Sequence, residues 1–150
     1  MENRGRSRNR KLIERFCHEL WNRFDKALIP VLLAEDIRFR GSLGQYKNGH
    51  AEFAEYVDFI EHTFPDFTIE IEEIISEEDK AFARLTYRGT QRGEIFGIAP
   101  TGKPIQYVGA AVFRFRGDKI MEVWVLGDIH GLISQLQGRD AAFYPCIPPC

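Results

Sequence analysis

The hydrophobic period of this chain changes once, near Phe67, from that of a helix to that of a strand, and few folds accommodate such a switch. Before it, Leu12, Ile13, Phe16, Cys17, Leu20 and Phe24 recur at helical spacing, with Glu14, Arg15, Glu19 and Arg23 on the opposite face. Phe53, Tyr56, Val57, Ile60 and Phe64 repeat the pattern, and Pro65 closes that second long helix. Between the two, residues 27–33 predict a short helix interrupted near Pro30. Residues 37–39 predict a brief strand, and 41–49 a glycine-containing loop with Asn48 or Gly49 as the next helix cap.

Beyond Phe67 the apolar residues alternate. Ile69, Ile71 and Ile74-Ile75 are interleaved with Glu70, Glu72 and Glu73, which gives a strand one dry and one wet face. Residues 81–90, 105–116 and 119–126 read as three further strands, the last two joined by the hairpin signal Gly117-Asp118. Helices first and a meander of long strands last predict the α+β class: a cone-shaped, curved antiparallel sheet packed on N-terminal helices. Gly89, Gly93, Gly97 and Gly109 stand where bends or bulges would help the curvature. A cone has an interior, and whatever the helices leave unfilled is a ligand cavity.

With 150 residues and 44% hydrophobic content, one domain is expected. Residues 1–11 hold five basic side chains against Glu2, a net of +4, which leaves −6 for the rest of a chain whose formal charge is −2. The division expected is a solvated basic arm over 1–10, a folded domain over 11–138, and a Cys- and Pro-containing tail over 139–150. An acidic body argues against nucleic acid and membrane surfaces as partners. No apolar run is long enough to span a bilayer and no leader-like start is present, so a cytoplasmic location is expected. Cys17 sits in a helical apolar stripe, as a buried hydrophobe would, and Cys146 and Cys150 are too few and too badly spaced for a closed zinc site.

Three segments resemble a known family. Gly89-Thr90-Gln91-Arg92-Gly93 followed by Pro100-Thr101-Gly102-Lys103 is similar to the Gly-Thr-His-x-Gly and Pro-Thr-Gly-Lys signature of SnoaL-like polyketide cyclases. Asp128-Ile129-His130-Gly131-Leu132-Ile133-Ser134-Gln135-Leu136 resembles their closing motif, and Phe64-Pro65-Asp66-Phe67 their junction between helix and sheet. The resemblance covers roughly residues 11–137. It implies the nuclear transport factor 2-like (cystatin-like) cone, a homodimer, no metal and no organic cofactor. It also implies closure of a ring on a polyketide ester by intramolecular aldol condensation, with Asp128 at the position of the acid/base aspartate.

From the residues themselves, strand alternation puts Trp124, Leu126 and Asp128 on one face and Val123 and Val125 on the other. With the Trp124 face inward, Asp128 would be a desolvated base beside an indole; directly before an apparent helix it is equally an N-cap. Arg84 alternates with apolar neighbours, so it is either a solvent-facing cation or a donor to a substrate oxygen. Gln91 replaces the family histidine, and an amide orients an oxygen but shuttles no proton. Trp21 and Tyr56, at the edges of their helical stripes, are expected to line the cavity. The expected substrate is a small apolar or aromatic carbonyl compound that yields an α-proton to Asp128. Isomerase, dehydratase or epoxide hydrolase chemistry with the same carboxylate, or a non-catalytic binding or dimerisation module, are the alternatives.

Overall fold

In the computed structural model, which describes residues 2–139, the chain opens with α1 (Glu2–Arg15) and a π-helical turn (Phe16–Trp21). A 3-10 turn (Lys26–Leu28), α2 (Ile29–Leu32), β1 (Leu33–Arg40), β2 (Tyr46–Asn48) and α3 (Gly49–Thr63) follow. The chain then runs through β3 (Thr68–Glu77), β4 (Lys80–Thr90), β5 (Pro104–Arg116), β6 (Lys119–Gly127) and α4 (Ile129–Leu136). The α+β class and the helical-to-strand switch near Phe67 are as the periodicity predicts. The six strands form one curved, unclosed sheet in the order β2-β1-β6-β5-β4-β3.

The sheet is mixed, which corrects the expectation of an antiparallel one. β3 to β6 are the expected meander, but β1 is a full eight-residue strand and runs parallel to β6, pairing Phe39 with Val123 and Arg40 with Trp124. Three antiparallel reversals, tight at 78–79 and 117–118 and through the longer 91–103 loop, leave the last strand of the meander running in the direction of β1. An extra residue interrupts the register between Ile71 and Glu73 on β3, and a second irregularity falls between Arg114 and Phe115 on β5. Such bulges bend strands and strengthen twist, and they supply curvature that the glycines alone were expected to give.

The concave face carries Ala81, Ala83, Leu85 and Tyr87 of β4, Tyr107, Ala111 and Phe113 of β5, and Val123 and Val125 of β6, all buried. Phe53, Tyr56, Val57 and Ile60 of α3 pack into it. Trp21 ends the π-helical turn inside a cage of Phe16, Phe39, Phe53, Tyr56 and Phe67, with ring centroids 5.7–6.4 Å away. The helical period reads straight through this segment, but the wider turn lets Phe16, Cys17, Leu20 and Trp21 all point inward.

Residues 2–10 are not a solvated arm; they are the first part of α1. Asn9 explains the difference. It is fully buried and donates from Nδ2 to Ser76 Oγ (3.0 Å) and to the Glu78 carbonyl (2.7 Å), which fastens the helix to the far end of β3. Asn22 does the same at the near end, donating to the Ile69 carbonyl (3.1 Å) and accepting from the Ile69 amide (2.7 Å). β3 is an edge strand, and Asn22 occupies backbone groups of Ile69 that an edge leaves open, while Asn9 holds the strand's end through Ser76 and the following turn. Cys146 and Cys150 lie outside the described residues. Among the described residues no helix is long and apolar enough to cross a membrane.

Replacing Asn22 by Ala removes both bonds and strands two backbone groups. The expected loss is about 2 kcal/mol, a fall of roughly 6 °C in Tm by calorimetry, with the far-ultraviolet circular dichroism of the folded protein unchanged.

Candidate functional site

Between the helices and the concave sheet lies an aromatic chamber. Phe16 and Trp21 of the π-helical turn, Phe39 of β1, Tyr56 and Ile60 of α3, Phe67 and Ile69, Leu85 and Tyr87 of β4, Phe113 of β5, and Val123 and Val125 of β6 line it, with Ser42 just past β1. Its free volume is about 20 Å³, room for one water molecule. The walls, not empty space, fill the cone.

One end of the chamber is polar. Ser42 and Tyr107 share a hydrogen bond of 2.8 Å between their hydroxyls, and the Tyr56 hydroxyl lies close to the Ser42 side chain and the Leu43 backbone. Tyr87 is stacked between Phe67 (5.7 Å) and Tyr107 (4.9 Å), its register partner across β4 and β5. Three glycines clear the space. A Cβ at Gly41 would sit 2.5 Å from the Tyr56 hydroxyl, one at Gly109 2.6 Å from the Tyr87 ring, and one at Gly127 2.5 Å from the Ser42 carbonyl. Burial pushes the phenols of Tyr56, Tyr87 and Tyr107 well above the ordinary value of 10.0, because the charged form loses its hydration. They are therefore neutral hydrogen-bond donors at physiological pH. Burial likewise raises the Cys17 thiol far above its usual range, so it is a neutral core side chain and not a nucleophile.

Two residues singled out from the sequence, Trp21 and Tyr56, line the chamber; the other four do not. Trp124 lies on the outer face, 39% exposed, with the Arg40 guanidinium 5.1 Å from its ring. The face assignment of β6 is thus the reverse of the one considered: Val123 and Val125 point in, opposite Phe113 and Ala111. Arg84 is exposed on the same outer face, 3.9 Å from Glu73. Gln91 is fully buried and faces its own loop: it donates to the carbonyls of Gly93 (3.0 Å) and Ile98 (3.1 Å) and accepts from the Thr101 amide (2.9 Å) and hydroxyl (2.7 Å). Two donors and two acceptors exhaust its capacity, so Gln91 organises the 91–101 loop and has nothing left for a ligand.

Asp128 is exposed and caps α4, accepting from the Gly131 amide at 3.0 Å, while its own amide donates to the Val108 carbonyl at 2.9 Å. It is not part of the chamber wall. It directly follows Gly127, where a Cβ would sit 2.5 Å from the Ser42 carbonyl. Ser42, Tyr87 and Tyr107 escaped the sequence reading. Tyr87 and Tyr107 carried a signal, as phenols at the inward parity of small-residue strands with Gly89 and Gly109 two residues on; Ser42, in a loop, carried none. Among the described residues no three His, Cys, Asp or Glu side chains come together as a metal site.

Known proteins place this geometry in context. The profile of the SnoaL-like polyketide cyclase family matches residues 11–136. TsrD from Streptomyces laurentii superposes with a TM-score of 0.78 at 24% identity, over 87% of this chain and 96% of that one. A SnoaL-like polyketide cyclase of Agrobacterium tumefaciens gives 0.67 at 18% identity, over 79% and 90%. A protein of Catenulispora acidiphila with a ketosteroid isomerase-like fold, solved with trimethylamine, gives 0.72 at 16% identity, over 89% and 97%. No curated protein matches the chain.

The three phenols set an alkaline limit to stability. In the unfolded chain tyrosine releases its proton near pH 10, while in the fold it holds on, so above pH 10 the unfolded state gains a stabilisation that the folded state lacks. Stability is expected to fall as pH rises through 10. In an alkaline titration the phenolate absorbance of Tyr56, Tyr87 and Tyr107 is expected to appear together with loss of circular dichroism, not ahead of it.

Proposed function

The chain belongs to the SnoaL-like polyketide cyclase family, and from that premise we propose that it acts on a small, largely apolar carbonyl compound by acid/base chemistry at the polar end of the chamber. The observation that supports this is the set of hydroxyls at one end of an aromatic chamber: Ser42, Tyr56 and Tyr87 in its wall, and Tyr107 bonded to Ser42. Neutral donors in a dry site hold a carbonyl oxygen and stabilise the enolate that forms when an α-proton leaves. This assigns to the hydroxyls the role expected of Gln91 and Arg84, whose side chains are engaged elsewhere.

Asp128, which directly follows Gly127 where that residue packs against Ser42, is the proposed base, acting from outside the chamber wall. It takes the proton from the carbon next to the carbonyl, and the enolate carbon then attacks a second carbonyl of the same molecule to close the ring. With no second carbonyl, return of the proton elsewhere gives isomerisation. The chamber has room for no more than about one water as it stands, so substrate enters by displacing an aromatic wall side chain.

A second reading, a non-catalytic binding module, is favoured by the engagement of Asp128 as a helix cap and of Gln91 within its loop. Either reading accommodates a homodimer. The outer face of the sheet carries Val108 (52% exposed), Leu126 (56%) and Trp124 in adjacent strands, an apolar patch of the kind that pairs two copies.

Proton exchange separates the two readings. With a panel of cyclic and aromatic ketones in heavy water, the wild type is expected to exchange α-protons, Asp128→Asn to lose at least about a hundredfold in exchange rate while still binding, and Tyr107→Phe to bind about tenfold more weakly. Ligands that bind the wild type and Asp128→Asn equally, with no exchange by either, establish the binding module instead.

A further inference from the structure

A second concavity is far larger than the chamber. It is an open groove of about 1320 Å³ between α1, α2 and the tip of the sheet where β3 ends and β6 begins. Arg4, Arg6, Arg8, Arg10, Lys11 and Arg15 form its wall, and Asp118 is the single acidic side chain among its lining residues. Its floor is aliphatic, from Ile74 and the exposed Val31 (47%) and Ile75 (62%), above the buried Leu12 and Leu32.

Arg4, Arg8, Lys11 and Arg15 follow the spacing of one helical face and extend over about 16 Å of helix axis, three turns. The row repels itself. Arg4 with Arg8, Arg6 with Arg10, and Lys11 with Arg15 are like charges four residues apart, each pair costing a helix roughly 0.2–0.5 kcal/mol. Within the described residues, Arg8 is tied to Asp118 (3.7 Å), Arg10 reaches the Ile74 carbonyl (3.4 Å) and Arg15 pairs with Glu19 (3.1 Å), while Arg4, Arg6 and Lys11 have no ion pair. A body that carries net negative charge thus presents one self-repelling cationic wall beside an aliphatic floor.

We propose that this groove docks an acidic amphipathic helix of a protein partner. Charge complementarity and the pairing of two kinds of surface decide the occupant. A helix with glutamates on one side and leucines on the other matches the cationic row and the aliphatic floor at once, over the same three turns. A bilayer is a poorer match, because it offers no acidic side chains placed to pair with a single helical row, and the large apolar side chains of α1 itself, Leu12 and Ile13, are buried. Nucleic acid is a poorer match because its phosphates would use the cationic row alone and leave the aliphatic floor uncovered, and that floor lacks aromatic side chains for stacking single-stranded bases. The groove is lined by none of the polar residues of the chamber, so this inference stands apart from the proposed chemistry.

The test uses the full chain and a fluorescent synthetic peptide of about 18 residues, helical, with glutamate on one face and leucine on the other. Its control is a shuffled peptide of identical composition. Anisotropy titration at low salt is expected to show the amphipathic peptide binding at least about tenfold more tightly than the shuffled one, with affinity falling as salt is raised. Arg4→Glu combined with Lys11→Glu, and separately Ile75→Glu, are each expected to weaken binding about tenfold with the circular dichroism spectrum retained. All of these side chains lie outside the core, so folding is not at stake. Equal binding of the two peptides, indifference to Ile75→Glu, or capture of anionic vesicles or duplex DNA in place of the peptide would each overturn the proposal.

Discussion

Three phenols and a serine hydroxyl buried in an aromatic interior are the constraint on which this structure turns. A hydroxyl taken from water costs a few kcal/mol unless it finds a partner. The fold meets this cost locally: Ser42 and Tyr107 share one hydrogen bond, Tyr56 lies against Ser42 and Leu43, and the ring stack of Phe67, Tyr87 and Tyr107 fixes the directions in which the oxygens point. Gly41, Gly109 and Gly127 come from three different segments, yet each is small because an oxygen or ring of this cluster occupies the place of its side chain. The sheet, α3 and the loop after β1 are held to one another through that single polar knot. The same knot is the feature that gives the chamber a chemical direction, since the remainder of its lining is almost wholly hydrocarbon.

How much of this was legible in sequence depends on whether a residue's neighbours differ from it. The switch of period at Phe67 was legible because it extends over dozens of residues, and the β4–β5 pairing follows from clear alternation. β6 was not legible in the same way. Val123 and Val125 are apolar, and so are Trp124 and Leu126, so alternation cannot say which face is concave. The register does: Val123 and Val125 lie opposite Phe113 and Ala111, both fully buried, and the irregularity at Arg114 and Phe115 sets that parity. The larger side chain went to the outside, where Arg40 covers it.

Other departures share a cause: a polar side chain whose partner is far away in sequence. Asn9 turns a stretch with the composition of a loose arm into helix by bonding to Ser76 and Glu78, and Asn22 repeats the device at Ile69. Gln91 holds its loop with four bonds, three of them to Ile98 and Thr101, seven and ten residues on. Composition shows that such residues are polar but not that they are buried. Asp128 was readable as the cap of α4 from the helical residues that follow it, and its carboxylate is exposed and bonded to the Gly131 amide.

A filled chamber and a carbonyl substrate are reconcilable on energetic grounds, and the reconciliation fixes the strength of binding to be expected. Moving one aromatic ring out of its packed place forfeits contacts comparable to those lost when a buried phenylalanine is truncated, about 3–5 kcal/mol. A flat apolar ligand that takes the ring's place restores most of those contacts and adds a hydrogen bond from Tyr107 or Ser42 to its oxygen. Gross binding on the order of 8 kcal/mol, ordinary for a small ligand, is then reduced by the displacement to a net 3–5 kcal/mol, the millimolar range. Tight binding therefore belongs only to a molecule large enough to replace more than one ring, which is a property of a polycyclic or extended substrate and not of a small ketone. The aromatic cage of Trp21 is the part of the wall suited to such an exchange, because it gathers five rings around one indole and a planar ligand can replace one ring against the others.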